Sequence, residues 1–358
     1  MSPAAHARVT RAAAGLIAAA AAACSAPALP AELGLAYERE AAGDVDGALA
    51  AYRAAQRPCG DPGARRLARE DCARALLGEA ELLERHGRAD EALAAYAAVP
   101  ERTGGVAAPS AQALWRAGRL AYEADRVPDA AGFLWRLVVE YPDEAFAADA
   151  VAFVVERTRA VDARALWRRL SDLYPALDHT AVADNLLWAL ADLAEHELAD
   201  PGAARELYDR IPRDHPASGL RDDARWHAAR ISRAAGDPAG AVERLRALLA
   251  TREVAVGAGS YFSIWLDDAQ LELGRVLRDD LADPEAAAAA FATLPRHYPR
   301  SILVDDALDE LITTELGRGH RDRACAAAAR LVAHDPESRF AARARALGET
   351  CGAARGRR

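Results

Sequence analysis

Small, bulky and apolar positions recur along this chain at fixed spacing. An alanine is followed by a bulky residue four positions later, an apolar one seven later and, in five copies, a proline twelve later. The five complete copies are Ala130, Leu134, Leu137 and Pro142; Ala163, Trp167, Leu170 and Pro175; Ala204, Tyr208, Ile211 and Pro216; Ala287, Phe291, Leu294 and Pro299; and Ala324, Ala328, Leu331 and Pro336. Three copies lack the proline: Ala48, Tyr52 and Ala55; Ala92, Tyr96 and Val99; Ala241, Leu245 and Leu248. Steps of four and three residues place the first three positions on one helical stripe, and proline, which has no N–H, ends the helix. Alanine lets a partner helix approach closely, while the bulky residue fills the space beyond it.

The stripe predicts the second helix of a hairpin, and the chain supplies the rest of the hairpin. Glycine stands five residues before the alanine at Gly43, Gly87, Gly236 and Gly319, where a tight turn would join two helices. Eight residues after each proline comes another alanine (Ala150, Ala183, Ala224, Ala307 and Ala344), a small residue at a fixed point of the next helix. Residues 198–224 and 281–307 are identical at fourteen of 27 positions at an offset of 83, which is two units of about half that length. A single hairpin cannot bury its apolar face, so eight of them are expected to stack. The predicted fold is all-α, a right-handed superhelical solenoid of about eight hairpins over 31–350, closed by a last helix near 338–350. Longer loops are expected at 57–64, 100–110 and 250–262; Gly257-Ala258-Gly259 in the last could approach a ligand or serve as a linker.

Gly118, Ala130 and Pro142, and Trp188, Ala204, Tyr208, Ile211 and Pro216, resemble the tetratricopeptide repeat consensus in register. Tyr298-Pro299-Arg300-Ser301 followed by Asp305-Asp306-Ala307 resembles a narrower group: envelope lipoproteins of the BamD type and the Tol-associated periplasmic coordinator. That resemblance implies a scaffold that binds other envelope proteins, in outer-membrane protein assembly or in cell-wall synthesis and division.

The N-terminus reads as an export signal over 1–23: His6, Arg8 and Arg11, then an apolar run from Ala12 to Ala23 too short to span a bilayer. Cys24 after small residues resembles a bacterial lipoprotein signal, which implies acylation of Cys24, a tether over 24–30 and an outer-membrane location facing the periplasm. Ala21 departs from the leucine of that pattern, and ordinary cleavage to a soluble periplasmic protein is the alternative. Cys59, Cys72, Cys325 and Cys351 form two sequence-local pairs, as structural disulfides of an exported protein would. Three connectivities are open, and the local one closes the shorter loops. Residues 351–358 read as a basic tail.

Net charge of -9 excludes a general nucleic-acid binder, which needs a basic face for phosphates. No catalytic set is evident and no cofactor or metal is expected. His196-Glu197 lacks the second histidine of zinc peptidases, the histidines are scattered, and no phosphate-binding glycine loop occurs. Asp222-Asp223, Asp267-Asp268 and Asp305-Asp306 recur at one repeat position, which suits helix N-terminal charge better than acid–base chemistry. Projecting the register onto the first helices places Trp115, Arg119 and Tyr122 on the inner face of the third unit and Trp226, Arg230 and Arg233 on that of the sixth. Aromatic and arginine side chains together anchor protein interfaces, though each tryptophan could instead pack on the next hairpin. A clamp for a partner's terminal carboxylate is disfavoured, since the chain has no lysine and Asn185 is its one asparagine. The sequence therefore predicts a non-enzymatic scaffold with envelope-protein partners, a glycan-binding helical domain being the alternative. The oligomeric state does not follow from it.

Overall fold

The turns decide whether the repeat is a hairpin, and they are left-handed where the spacing predicts. In the computed structural model, which describes residues 30–57, 59, 66–251 and 263–355, Gly43, Gly87, Gly236 and Gly319 have φ between +72° and +77°. Three further hairpins place Asp125, Ala199 and Ala282 at the equivalent point, with φ of 59°, 52° and 52°. All described regular structure is helical, and the fold is an all-α stack of hairpins. The signal, Cys24, most of the tether, Gly257-Ala258-Gly259 and the last three arginine-rich residues lie outside the described residues.

The chain divides into two compact units, Met1–Phe146 and Ala147–Arg358. The first contains α1 (Ala31–Ala41) and α2 (Val45–Ala55), α3 (Arg66–Arg85) and α4 (Ala89–Thr103), and α5 (Ala107–Glu123) and α6 (Val127–Glu140). Each of these helices packs on the next in chain order. The core is built from the repeat itself: Ala48, Tyr52, Ala92, Tyr96, Val99 and Ala130 are all buried. Gly78 faces the Tyr52 ring so closely that an added Cβ would lie 2.4 Å from it, so this position has to be glycine.

The second unit takes up α7 (Ala145–Leu177) from its third residue onward. α7 is a hairpin drawn out into one element: Asp162 is extended (φ -153°, ψ 80°) and caps the second helical stretch by accepting from the Ala165 N–H at 2.9 Å. Three hairpins come next, α8 (Ala183–His196) with α9 (Pro201–Asp214), α10 (Arg221–Ala234) with α11 (Pro238–Ala250), and α12 (Leu266–Arg275) with α13 (Pro284–His297). α12 closes in a single π-turn over Val276–Asp280. α14 (Val304–Gly317) with α15 (Arg321–His334) completes the set, and α16 (Ala341–Arg355) covers it. Counting α7 as one, eight hairpins stand among the described residues. The five alanines after the prolines, Ala150, Ala183, Ala224, Ala307 and Ala344, are all buried.

Four expectations are corrected. Pro175 does not end its helix, because α7 runs on to Leu177. The loop expected at 100–110 shrinks to Gly104–Val106: Pro100 sits inside α4, and Gly104 ends that helix in the left-handed conformation. The tail expected from 351 begins as helix, since α16 continues to Arg355 with Cys351 bonded to Cys325 on α15. Ala163 and Trp167 are only half-buried where the other copies of the stripe bury both positions. Cys59 and Cys72 form the second disulfide, so both local pairings are present.

The serines of the proline-x-serine segments and the paired aspartates tie neighbouring hairpins together. Ser301 caps the start of α14 by accepting from the Leu303 N–H at 3.0 Å and donates its hydroxyl to Asp267 of α12 at 2.5 Å. One hairpin later, Ser338 accepts from the Phe340 N–H and donates to Asp305 at 2.6 Å. The aspartates occupy first helical turns, where the macrodipole favours negative charge. They are also receptors for the next hairpin. Arg339 and Arg343 of the closing segment pair with Asp306 and Asp309 in the same direction.

Candidate interaction surface

α5 carries the first candidate set. Trp115, Arg119 and Tyr122 stand four and three residues apart, so they share one stripe of the helix. Tyr122 is over a third exposed, and Arg119 reaches Glu123 at 3.3 Å with both side chains largely in solvent. The Trp115 ring stacks on Phe146 with centroids 6.2 Å apart and planes 22° from parallel. Trp115, Arg119 and Phe146, but not Tyr122, line a cleft of about 310 Å³ together with Glu84, Gln112, Arg116 and Glu123.

A hydrogen-bonded relay forms its base. Tyr96 donates to Glu84 at 2.5 Å, and Arg116 donates to the same carboxylate at 3.1 Å and to the Tyr96 oxygen at 3.1 Å. Burial and the adjacent Glu84 carboxylate push the Tyr96 hydroxyl well above the ordinary phenol range, so it stays a donor at any physiological pH. Gln112 bonds Glu81 at 3.2 Å. The cleft thus offers an aromatic wall, one fixed guanidinium at the base and one exposed guanidinium at the rim.

α10 carries the second set in the other unit, built on the same logic but closed more tightly. Trp226 stacks on Trp265 at 5.2 Å with planes 14° apart, and the Trp265 indole N–H donates to Asp223 at 2.7 Å. Arg230 is exposed and makes no ion pair with the described residues. Arg233 is held by Glu272 at 2.7 Å, Asp280 at 2.7 Å and Asp279 at 3.7 Å. It welds its hairpin to the next, while Arg230 is left to face outward.

The second unit also holds a related cluster on α8, α9 and α10. Glu195 accepts from Tyr208 at 3.1 Å and pairs with His227 at 3.0 Å, and Trp188, Tyr208 and His227 pack ring to ring at 5.0–5.4 Å. Tyr–carboxylate pairs recur at Tyr52 with Glu40, Tyr96 with Glu84 and Tyr208 with Glu195. Recurrence inside the stack assigns them to holding hairpins shut.

Sequence reasoning missed Phe146, Trp265 and the Glu84–Arg116 base. Trp265 was legible in the repeat: two residues after the serines at 218, 263, 301 and 338 stand Leu220, Trp265, Leu303 and Phe340, always large and apolar. The Glu84–Arg116 pair spans 32 residues and has no such signal. Among the described residues no three His, Cys, Asp or Glu side chains are grouped to hold a metal ion, and no helix is long and apolar enough to cross a membrane.

One family model matches part of the chain, and several solved structures are similar to it. Residues 268–301, from α12 through α13 to Ser301, match the family model described as tetratricopeptide repeat. Similar solved structures include PilF from Pseudomonas aeruginosa, 16% identical, covering 70% of this chain and 99% of that one at a TM-score of 0.36. A tetratricopeptide repeat protein from Parabacteroides merdae is 14% identical, covering 78% and 97% at 0.31. A MamA protein is 16% identical, covering 53% and 92% at 0.39. No curated protein matches the chain in sequence. The chain is an all-α stack of helical hairpins in which residues 268–301 are similar to a tetratricopeptide repeat.

Proposed function

We propose that the protein is a non-enzymatic scaffold that binds partner polypeptides through the aromatic–arginine faces of its first helices, exported to a bacterial cell envelope and anchored there through Cys24. The observation that carries the binding reading is the Trp115–Arg119 cleft: an aromatic wall beside one fixed and one exposed guanidinium, the residue types that dominate interface energetics. Arg230 beside the Trp226–Trp265 stack supplies a second such point. The two disulfides support export, since such bonds persist in oxidising compartments. The envelope reading also leans on the resemblance of 1–23 and Cys24 to a lipoprotein signal; a soluble periplasmic coordinator is the alternative.

Tagged full-length protein captured from detergent-solubilised native envelope tests this. Stoichiometric recovery of an outer-membrane assembly barrel or a cell-wall synthase, lost in Trp115→Ala/Arg119→Glu, is the expected result. Equal recovery by the variant removes this face from the interface. Retention of the intact bait on purified cell wall, with no protein partner, would replace the scaffold reading with glycan binding. The mass of the mature N-terminal peptide separates an acylated Cys24 from simple cleavage.

A further inference from the structure

Hairpin four breaks the repeat, and the break opens a cleft. At the bulky repeat position Tyr52, Tyr96, Leu134, Tyr208, Leu245 and Phe291 are all buried, yet Trp167 is only half-buried and its small neighbour Ala163 likewise. Trp167 forms one wall of a cavity of about 550 Å³ lined further by Ala194 near the end of α8, Leu198 and Asp200 in the α8–α9 turn, and Ala203 at the start of α9. Arg164 and Arg168 flank it on the same helical stripe. All of these residues belong to the second unit.

The chemistry of the cleft is one-sided. The Trp167 indole N–H is buried and has no acceptor, a deficit that native packing normally avoids. Arg164 and Arg168 are exposed and meet no carboxylate among the described residues; the one contact, from Arg168, is to its own helix at the Arg164 carbonyl. This is unusual in a chain of net charge -9, where Arg159, Arg233, Arg244 and Arg278 each face acids. The acid of the cleft, Asp200, already accepts from the Ala203 N–H at 3.0 Å. Donors therefore outnumber free acceptors, and Leu198 and Ala203 supply an apolar floor.

We propose that the Trp167 cleft is a second docking site, for a partner polypeptide segment in which apolar side chains alternate with Asp or Glu. The apolar side chain packs on the indole, Leu198 and Ala203, and the carboxylates pair with Arg164 and Arg168. The proposal rests on the scaffold reading but uses the second helix of hairpin four rather than the first-helix faces, so one chain could hold two segments at once.

The test uses full-length protein with ¹⁵N-labelled indoles, whose six tryptophan N–H signals are assigned with Trp167→Phe among other variants. The probe is a blocked peptide of alternating leucine and glutamate, with its glutamine counterpart. The expected result is a saturable shift of the Trp167 signal, with affinity falling at least about tenfold for the glutamine peptide and for Arg164→Glu/Arg168→Glu. The other five signals of that variant, unmoved in the free protein, report that the fold is intact. Equal affinity for both peptides, or an unmoved Trp167 signal, overturns the site. A Trp167 shift with phosphatidylglycerol vesicles but not with the peptide overturns it in favour of a membrane. Shifts confined to Trp115 or Trp226 overturn this site and leave the first-helix reading standing; a Trp167 shift alongside failed envelope capture does the reverse.

Discussion

Two kinds of turn alternate in the second unit, and their difference explains its long period. In the hairpins of α10–α11 and α14–α15 the turn is glycine, and the capping N–H reaches back five residues, from Asp237 to the Ser232 carbonyl and from His320 to that of Glu315. In those of α8–α9 and α12–α13 the turn is alanine and the reach is six, from Asp200 to Ala194 and from Asp283 to Leu277. At the turn φ is 77° with the reach of five and 52° with the reach of six, the latter inside the left-handed region that an L side chain can occupy at some cost. In the first unit Asp125 has φ of 59° with a reach of five, from Arg126 to Ala121, so the lower φ goes with a side chain at the turn and glycine takes the higher one. Alternation of the two turns makes the natural repeat a pair of hairpins, hence the offset of 83 between 198–224 and 281–307. The same extra residue moves the tyrosine–carboxylate pair: Tyr208 reaches Glu195 across 13 residues, while Tyr52 and Tyr96 reach theirs across 12.

The largest effect expected separates the hairpins by what fills them. Phe291→Ala in the alanine-turn hairpin removes a fully buried ring packed against Gly274 and should cost about 3–5 kcal/mol. Its counterpart in the glycine-turn hairpin of α14–α15 is already alanine, Ala328, while that of α10–α11 is Leu245. Urea unfolding of both the variant and Ala328→Gly reads the contrast; comparable losses would show that the two hairpins are equally dependent on this position.

Exchanging the turn residues comes next. A Cβ on Gly319 meets nothing within 4 Å, so Gly319→Ala isolates the backbone cost, expected at ~1–2 kcal/mol. Ala282→Gly should gain less than ~1 kcal/mol, because relief of the left-handed alanine is partly cancelled by the greater freedom of glycine when unfolded. Thermal melts decide, and equal and opposite shifts would mean that the two turns hold a left-handed alanine at the same cost.

The smallest effect is in the alkaline limb of stability. Burial and Glu195 raise the Tyr208 hydroxyl above its ordinary value of 10.0. The native state therefore holds this proton when the unfolded chain has released it, and stability declines as pH rises above about 10. Burial and then the Glu40 and Glu84 carboxylates do the same to Tyr52 and Tyr96 in the first unit. Tyr208→Phe should flatten the slope of urea midpoint against pH in that limb; an unchanged slope would show that the Tyr208 proton is not linked to unfolding.

The sequence by itself determined the hairpins, their number and their buried stripe, because helix periodicity, small residues at contacts and left-handed turns are local consequences of residue type. Even the pairing of the cysteines favoured the local connectivity that the structure holds. Tertiary structure decided what the repeated polar residues do. Ser301 and Asp267 lie 34 residues apart, as Ser338 and Asp305 lie 33 apart, and only the stacking of hairpins brings them together. It also divided the candidate arginines, binding Arg233 to three carboxylates while leaving Arg230 outward, though both sit on one helix stripe. The Trp167 cleft belongs to the same class: the repeat marks position 167 as core, and only the fit of α7 against the end of α8 leaves it half open. A side chain's local spacing fixes the face it occupies, but whether that face meets an acid, a ring or empty space depends on residues a whole repeat away.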